Sequence, residues 1–402
     1  MIAGSVFWEL PGPSRYRRSH TRHLLEGRSL VIVLPTDVDA RGLQVEVAHS
    51  ARDAGFSFES YAVTGLFAGD NEVGDALCAV LGIEKSGAAG PTNAAALASA
   101  ERLRGVVLWF SDSELLTDDQ RERWFRFLSD FGHAARNEQV EERPRVVMDL
   151  NHHLPELDDL FFIRCWWWAV LGHADQLCAF DLVSQDLDID AFLEGAVIHV
   201  AAYDLDLLAW LLSHEFEDAA SLGQTLRLYA RESGLTQVAD LGKEALAVAR
   251  AATPGIEPPD NLRELWRAGG VQAMVREGIR IHPAVLALVE GDAAAERMLW
   301  EAQVRSLLPS IDRYRVRVSQ YLDRRFGASW ITWSPNGHTS GLDFEIGDLK
   351  FLWDTAPPLS RESAAKREFV VRLHQARNDL AHLRPVNRRA VSALASLAVE
   401  FE

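Results

Sequence analysis

Three runs of β-branched and aliphatic residues, separated by segments of helical character, most constrain how the first part of this chain can fold. They are SLVIVLP at Ser29–Pro35, GVVLWF at Gly105–Phe110 and RVVMDL at Arg145–Leu150. Continuous apolar runs of this length are typical of strands buried on both faces of a sheet. Between the second and third runs, Thr117 and Gln120 form a capping-box pair that predicts a helix start. Strands alternating with helices predict a parallel α/β sheet over about residues 1–155.

The remainder of the chain is predicted to be mainly helical, so the predicted fold class is multidomain α/β followed by α. Residues 156–252 form a predicted helical middle domain around CWWWAV and LDLLAWLLSHEF. Thr253–Asn261 has four Pro or Gly among nine residues, which indicates a boundary, and residues 253–295 are predicted as a linker with short helices. Residues 296–402 are predicted to form the last domain. Its helices are expected over Glu296–Arg325, from Leu342 to before Pro357, over Ser360–His382 with Ser360 or Ser363 as cap, and after Asn387.

The charges of the chain are unevenly distributed around a formal net charge of −17. Residues 296–402 contain 16 Lys and Arg against 13 Asp and Glu, whereas residues 1–295 contain 25 against 45. Because phosphate binding requires local positive charge, only the C-terminal segment is suited to a polyanion such as RNA. The acidic remainder is expected either to restrain non-specific RNA binding or simply to keep the protein in solution.

Cysteine usage and hydropathy predict a cytoplasmic protein that has no membrane partner. Cys78, Cys165 and Cys178 are odd in number and form no CxxC pair, which argues against a disulfide scaffold or a zinc ribbon. The longest apolar run, Phe161–Leu171, contains Arg164 and is too short to span a bilayer. The N-terminus lacks the basic, apolar and small-residue order of a signal peptide.

The residues best suited to chemistry lie in FVVRLHQARNDLAHLRPV, the predicted third helix of the last domain. Asn378 and His382 are four residues apart and therefore share a helix face, beside which Arg377 lies. An imidazole can move a proton near neutral pH, and a guanidinium can offset the charge of a phosphorane, as phosphodiester cleavage requires. The alternative to a catalytic site is that Arg377 and His382 are ordinary surface residues near a helix C-terminus, where cations are favoured by the helix dipole. His374, one turn before Asn378, is predicted to lie on a solvated face, with an extension of the site as the alternative.

This arrangement resembles the motif of the HEPN superfamily, in which an Arg is followed four to six residues later by a His. WEAQVRSLLPSIDRYRVRV and LDFEIGDLKFLW are similar to the first two helices of the HEPN branch found in bacterial defence proteins. The resemblance implies a four-helix bundle with metal-independent endoribonuclease activity in a homodimer, where each protomer contributes one motif to a composite site. The RNA 2′-OH would attack the adjacent phosphate and leave a 2′,3′-cyclic phosphate. It implies His382 as general base or acid, Arg377 as transition-state cation and Asn378 as an orienting donor.

The order of strand, loop, helix and strand at the N-terminus resembles the start of a P-loop NTPase. It depends on a predicted strand at Ser5–Leu10, after which GPSRYRRS at Gly12–Ser19 stands where GxxxxGK[ST] would lie. Arg17 replaces the second Gly and Arg18 replaces the Lys, so the usual backbone cradle for phosphate is missing. The resemblance implies a degenerate domain that senses nucleotide without hydrolysing it, or one that is purely structural. The nucleotide-binding candidates are Gly12, Arg17, Arg18 and Ser19.

Other polar and aromatic groups give no specific prediction of a site. Asp149, His152 and His153 are adjacent rather than one helical turn apart, and we predict no metal there. Ser111-Asp112 at a strand end is an arrangement common without metal, and His214-Glu215 lacks the second His of HExxH. Trp166, Trp167 and Trp168 are predicted as core rather than as a base-stacking platform, because basic residues are not interleaved with them.

Together these features predict a metal-independent endoribonuclease of a prokaryotic antiphage or stress defence system, toxin-like and held inactive by its N-terminal domains. It requires no cofactor, binds RNA, forms a homodimer through the C-terminal bundle and works with partner proteins of a defence complex. One alternative is a non-catalytic HEPN-type subunit that binds RNA or dimerises. The other is a nucleotide-sensing switch.

Overall fold

The structure of the protein, a computed structural model, describes residues 4–67, 72–84, 92–150, 157, 160–240 and 242–401, without the side chains of residues 4, 5 and 242. In this part of the chain no helix combines the length and the hydropathy needed to cross a membrane.

The chain divides into two compact units. We call them the α/β unit, Ile2–Asp175 with Ala247–Arg280, and the helical unit, Gln176–Leu246 with Ile281–Glu402. Each unit is therefore assembled from two separate stretches of sequence, whereas the segments predicted above follow one another along the chain.

A five-stranded parallel sheet forms the centre of the α/β unit. Its strands are β1 Ser29–Val33, β2 Ser57–Ala62, β3 Val106–Ser111, β4 Arg145–Leu150 and β5 Phe162–Trp166, in the order β2-β3-β4-β1-β5. All five residues of β1 are buried, as expected for a strand with neighbours on both sides and helices on both faces. The predicted parallel α/β sheet is confirmed, and the three aliphatic runs are its three inner strands.

Both edge strands are absent from the sequence prediction. The side chains of β2 are all exposed or half-buried, and β5 carries the exposed Arg164, so neither is a continuous apolar run. The helical prediction around CWWWAV is wrong at Trp166, which ends β5. Trp167 follows, and its backbone N–H donates to the carbonyl of Val33, 2.9 Å away.

The helices described before β5 are α1 Gly4–Glu9, α2 Pro11–Leu25, α3 Ala40–Asp53, α4 Val73–Leu81, α5 Asn93–Ser99 and α6 Asp118–Ala135. The predicted capping box at α6 is confirmed. The Thr117 hydroxyl accepts from the Gln120 N–H at 3.3 Å, and the Gln120 side chain accepts from the Thr117 N–H at 3.0 Å.

The strand predicted at Ser5–Leu10 is wrong, because this segment forms α1 and the start of the next helix. Pro11 occupies the first turn of α2, where its missing N–H and its fixed φ favour helix initiation. Trp8, only 1% exposed, packs edge-on against Trp167 with 5.6 Å between ring centroids. A helix can bury this indole as well as a strand can. The contact with Trp167 therefore determines the secondary structure here, rather than the local sequence.

The next helices are α7 His173–Ser184, α8 Ala191–Val200, α9 Leu205–Ser213, α10 Ala219–Glu232, α11 Thr236–Ala239, α12 Gly242–Ala251 and α13 Arg263–Arg267. A two-stranded sheet of β6 Val271–Met274 and β7 Gly278–Ile281 follows. Short helices were the prediction for this stretch, so β6 and β7 correct it. β6 is short and fully buried, which hides the alternation that would mark a strand.

The C-terminal helices are α14 Pro283–Val289, α15 Asp292–Phe326, α16 Ile346–Thr355, α17 Ala364–Ala381 and α18 Arg388–Ala398. The predicted helices of residues 296–402 are thus present. Ser363 rather than Ser360 caps α17, accepting from the Lys366 N–H at 3.2 Å. Asn387 caps α18 as predicted, accepting from the Ala390 N–H at 2.9 Å.

Close contacts join the N-terminal and C-terminal stretches of the helical unit. The guanidinium of Arg388 lies 2.7 Å from Asp190, the residue that caps α8, and 2.9 Å from Glu215. Nearby, α8 and α15 approach so closely at Gly195 that a Cβ atom there would meet the side chain of Ser306. The C-terminal helices therefore fold against α8 rather than as an isolated bundle.

Candidate functional site

The predicted catalytic residues lie at the C-terminal end of α17, next to α16. Asn378 is half-buried, and its side-chain Nδ2 lies 3.2 Å from Nε2 of His374, one turn earlier on the same helix. Because the amide nitrogen is a donor, the imidazole nitrogen accepts this hydrogen bond. The structure therefore pairs Asn378 with His374, a residue predicted to be merely solvated.

The surroundings of His374 keep its imidazole neutral. Partial burial lowers the pKa of His374, and the positive charges of Lys350 on α16 and Arg377 on α17 lower it further, against the opposing charge of Asp354. A neutral imidazole can accept a proton near pH 7, as a general base must. Sequence spacing reveals His374 and Arg377, but Lys350 joins them only through the packing of α16 on α17.

Arg377 and His382 are both exposed, and neither side chain has a hydrogen bond or ion pair within the described part of the chain. Five residues at about 100° each place them roughly 140° apart around an ideal helix. His382 is the C-cap of α17, and its backbone N–H donates to the Asn378 carbonyl at 3.0 Å. Within the described residues, no hydrogen bond links the imidazole of His382 to the side chain of Asn378.

The exposed surface of α17 has an excess of positive charge. Its sequence contains four Lys or Arg and two acidic residues, and Arg384 follows with 64% of its side chain exposed. Lys350 and Arg367 both pair with Asp354, at 2.7 Å and 3.1 Å. A guanidinium, an amide, an imidazole and an ammonium group therefore occur together at one end of α16 and α17, a set suited to a phosphodiester.

A second candidate site lies in the α/β unit, at the carboxyl edge of the parallel sheet. The chain leaves β1 towards β2 at one edge of the sheet and leaves the adjacent β4 towards β5 at the other edge. The place where neighbouring strands connect in opposite directions is where open α/β sheets bind ligands. A crevice of about 110 Å³ lies there, lined by Leu34, Pro35, Thr36, Val38, Ala40, Glu114, Asp149 and Leu150.

Asp149, at the end of β4, is the most perturbed group in this crevice. Its Oδ1 is buried and has no hydrogen-bond partner among the described residues. The pKa of Asp149 is raised to about 7, mainly by burial, while a backbone hydrogen bond lowers it and the charges of Glu114 and Asp112 add to the rise. A carboxyl group in this state binds a cation or a hydrogen-bond donor readily, because either one stabilises its ionised form.

The loop after β1 offers no cradle for phosphate. Leu34–Asp39 contains no glycine. The Leu34 N–H donates to Leu150 at 3.1 Å, and the Thr36 N–H and hydroxyl donate to Arg267 at 2.9 Å and 3.0 Å. Two amides of this loop are thus committed to other carbonyls, and the acidic side chains of Asp149 and Glu114 that line the crevice disfavour an anion.

The residues predicted to bind nucleotide lie within α2, which precedes β1, so the predicted position of the phosphate loop is wrong. The Gly12 N–H donates to Asp175 at 2.6 Å, and a Cβ at this position would meet the carbonyl of Val170. Arg17 pairs with Glu46 and Glu9, and the Ser19 hydroxyl donates to the Tyr16 carbonyl at 2.6 Å. Arg18 is exposed. These groups hold the helix in place and leave no free loop for a nucleotide.

Two further predictions concern the tryptophan cluster and the weak metal set. Trp166, Trp167 and Trp168 are between 2% and 8% exposed, which confirms them as core. Of the weak metal set, His152 and His153 lie outside the described residues. Within the described ranges, no group of three or more His, Cys, Asp or Glu side chains is arranged to hold a metal ion.

The sequence matches no protein-family model and no curated protein. Among solved structures, the chain is similar to the RuvB Holliday junction branch migration motor of Thermotoga maritima, with 11% identity and a TM-score of 0.33 over 68% of this chain and 92% of that one. It is also similar to the ORC2 protein of Aeropyrum pernix, with 12% identity and a TM-score of 0.26 over 73% of this chain and 94% of that one. Scores in this range do not establish a common fold, so the architecture rests on the strand order given above.

Proposed function

We propose that the α/β unit is a sensor that binds a nucleotide or nucleoside-like ligand in the sheet-edge crevice without hydrolysing it. The observation that carries this proposal is Asp149, a carboxyl group with a buried, unpartnered oxygen at the switch point of the sheet. Position and chemistry agree, because a titratable group whose pKa is strongly perturbed, lying in a crevice, is a candidate for a functional site.

The acidic side chains of the crevice favour one orientation of the ligand. A ribose hydroxyl or a base amino group would donate to the Asp149 carboxylate, in the way that acidic residues of α/β folds hold ribose. Bare phosphates would face Asp149 and Glu114 without compensating donors. The crevice, at about 110 Å³, has room for only part of a nucleoside. We therefore expect a ribose hydroxyl or a base amino group to enter it, and the phosphates to point towards solvent, where hydrolysis is not assisted.

Thermal unfolding of the full chain with adenosine, AMP, ADP, ATP and their guanine counterparts, each with and without Mg²⁺, tests this proposal. We expect stabilisation by nucleosides as well as by nucleotides, no phosphate release from ATP, and loss of stabilisation in Asp149→Asn. Arg18→Ala is the matched control, since Arg18 lies exposed on α2 and should not matter. Absence of stabilisation by every compound at millimolar concentration would overturn the proposal.

A second candidate function, metal-independent RNA cleavage by the helical unit, is favoured by a different observation. The hydrogen-bonded pair His374 and Asn378 lies beside Arg377 on a helix with excess positive charge, and His382 is exposed at its end. These groups supply a base, a donor and a cation for attack of a 2′-OH on phosphate. The resemblance to HEPN proteins supports the same chemistry, with RNA as partner and a homodimer as the active form.

Incubation of labelled RNA with the protein in EDTA separates this candidate from a bundle that only binds RNA. Cleavage that is lost in Arg377→Ala and His382→Ala and retained in Arg372→Ala supports the enzyme. Arg372 is a suitable control because it lies on α17 and pairs only with Glu368 at 2.7 Å. Retention of RNA without cleavage would instead support the non-catalytic subunit.

A further inference from the structure

We infer that the helical unit has a binding pocket for a small organic cation, formed by α9 and the C-terminal end of α10. A cavity of about 400 Å³ opens there, within the range of small-molecule sites of roughly 300–1,000 Å³. The residues that give it its chemistry are Asp206, Trp210, Tyr229, Glu232 and Ser233. This inference depends on neither of the functions proposed above.

Aromatic rings form part of the wall. Trp210 and Tyr229 meet edge to face with 5.7 Å between ring centroids. The imidazole of His214 lies nearly parallel to the Trp210 indole with 3.8 Å between ring centroids, so it covers one of the two indole faces. Indole and phenol faces attract cations through their ring quadrupoles, Trp most strongly.

A buried hydrogen-bond network fixes the second ring. The Tyr229 hydroxyl donates to the Asp204 carboxylate at 2.5 Å, and Nε2 of His282 lies 2.9 Å from the same oxygen. Asp204 also caps α9 by accepting from the Asp206 and Leu207 N–H groups. Because the hydroxyl of Tyr229 is committed to Asp204, this residue offers its ring rather than its polar tip to a ligand, in a position set before binding.

The charge at the pocket is negative. Asp206 and Glu232 both line the cavity, and none of the described residues that line it is basic. Although Asp206 as a residue is exposed, partial burial of its carboxyl group, followed by the charge of Asp204, raises its pKa. The ionised form is thus disfavoured in the empty pocket, and a bound cation would stabilise it. The cavity also adjoins the end of α10 at Glu232, where the helix dipole presents its negative pole.

These features select an alkylated ammonium group with a short apolar body. The rings exclude a hydrated metal ion, which prefers several oxygen ligands, while the carboxylates exclude an anion and give a neutral molecule little advantage. Choline is a suitable probe because 3,3-dimethyl-1-butanol has nearly the same shape and no charge. The difference between these two compounds isolates the contribution of the positive charge.

Isothermal titration of the full chain with each probe tests the inference. We expect choline to bind at least about tenfold more tightly than its neutral analogue, and the double variant Asp206→Asn, Glu232→Gln to lose about tenfold or more of that affinity. Glu244→Gln is the matched control, as an exposed carboxylate of the same unit that does not line the pocket. Trp210→Leu should also weaken choline binding, and circular dichroism would confirm that it folds.

Three results would overturn the inference. They are equal affinity for choline and its neutral analogue, unchanged choline affinity in the double variant, and no detectable binding of choline at tens of millimolar. The two carboxylate substitutions are isosteric, and Asp206 and Glu232 are both exposed, so a loss of affinity in that variant reports on charge rather than on folding.

Discussion

Asn378 donates a hydrogen bond from its side-chain amide to the imidazole of His374, 3.2 Å away on the preceding turn of α17. The same imidazole has a pKa lowered first by partial burial and then by the charges of Lys350 and Arg377. These contacts favour the neutral form of His374 next to the predicted ribonuclease motif.

If the helical unit cleaves RNA, His374→Ala should reduce the rate by about 10²–10⁴-fold, the usual contribution of a positioned general base. RNA binding should change little, because the neutral imidazole adds no charge to the surface. Single-turnover cleavage and filter binding measured together distinguish the two effects. A rate in His374→Ala equal to that of the unmodified protein would assign proton transfer to His382 alone.

Lys350→Met should shift the pH dependence of the same reaction. Removal of this ammonium group eliminates one cause of the lowered pKa of His374, so the pKa rises and the acidic limb of the pH–rate profile moves to higher pH. Arg372→Met, which removes a more distant charge on α17, is the control and should leave the limb in place. A displacement towards lower pH in Lys350→Met would contradict the assignment.

Asp149→Asn should change how the stability of the protein depends on pH. The folded pKa of about 7 exceeds the ordinary value of 3.8, so between about pH 4 and pH 7 the folded state holds a proton that the unfolded state has released. Stability is therefore lost as pH rises through this window. Above pH 7 the variant should be more stable than the unmodified protein by on the order of 2–4 kcal/mol, with little difference at pH 4.

Urea denaturation between pH 4 and pH 8 measures this effect. Glu122→Gln is the control, because Glu122 forms an exposed pair with Arg126 and should leave the pH dependence unchanged. Parallel stability curves for the unmodified protein and Asp149→Asn would show that the Asp149 carboxyl group titrates alike in the folded and unfolded chains.

His20→Leu should make the α/β unit less sensitive to acid. His20 is buried against Tyr16, neither of its ring nitrogens has a partner among the described residues, and burial lowers its pKa to about 3. Below about pH 6.5 the unfolded state therefore binds a proton at His20 that the folded state does not bind. The free energy of unfolding falls with pH for this reason, by at most about 1.4 kcal/mol per pH unit. The variant should lack this loss.

His20→Gln separates the titration from the packing. It also lacks the proton uptake and should show the same flat pH dependence, but at lower stability throughout, because it buries an amide without partners. Acid unfolding followed by tryptophan fluorescence is the measurement. If the stability of both variants falls with decreasing pH as steeply as that of the unmodified protein, His20 is not the cause of the acid sensitivity.

Gly195→Ala should destabilise the helical unit by about 1–3 kcal/mol, because the added methyl group would overlap the side chain of Ser306 where α8 crosses α15. Gly347→Ala is the matched control on another helix. The nearest atom to its added Cβ is Nε2 of His374 at 3.9 Å, so the usual stabilisation of about 0.4–1 kcal/mol is expected there. Thermal unfolding of both variants decides the comparison, and similar effects of the two substitutions would exclude close helix contact at Gly195.

The inner strands of the sheet can be predicted from sequence because burial on both faces gives continuous aliphatic runs, as in β1, β3 and β4. The edge strand β2 lacks such a run, and its residues fit an exposed segment equally well. The error at Ser5–Leu10 has another cause: β-favouring residues such as Trp8 are buried there by tertiary contacts within a helix.

The candidate sites show a similar division between local and non-local information. Helical spacing is enough to group His374, Arg377 and Asn378 on α17. The role of Lys350 depends on how α16 packs, which no local pattern contains. For Asp149, the decisive information is the strand order, since the adjacency of β1 and β4 places this carboxyl group at the switch point of the sheet.

Each unit is built from two stretches of sequence that alternate along the chain, and this limits how the gene can be divided. Because the backbone passes between the units after Asp175, after Leu246 and after Arg280, no single cut yields one intact unit. A gene fragment ending near residue 155 or 252 would encode part of a core whose missing pieces lie downstream. Recombination should therefore transmit the α/β unit and the helical unit together, and truncated alleles should behave as complete losses of folded protein rather than leave one unit intact.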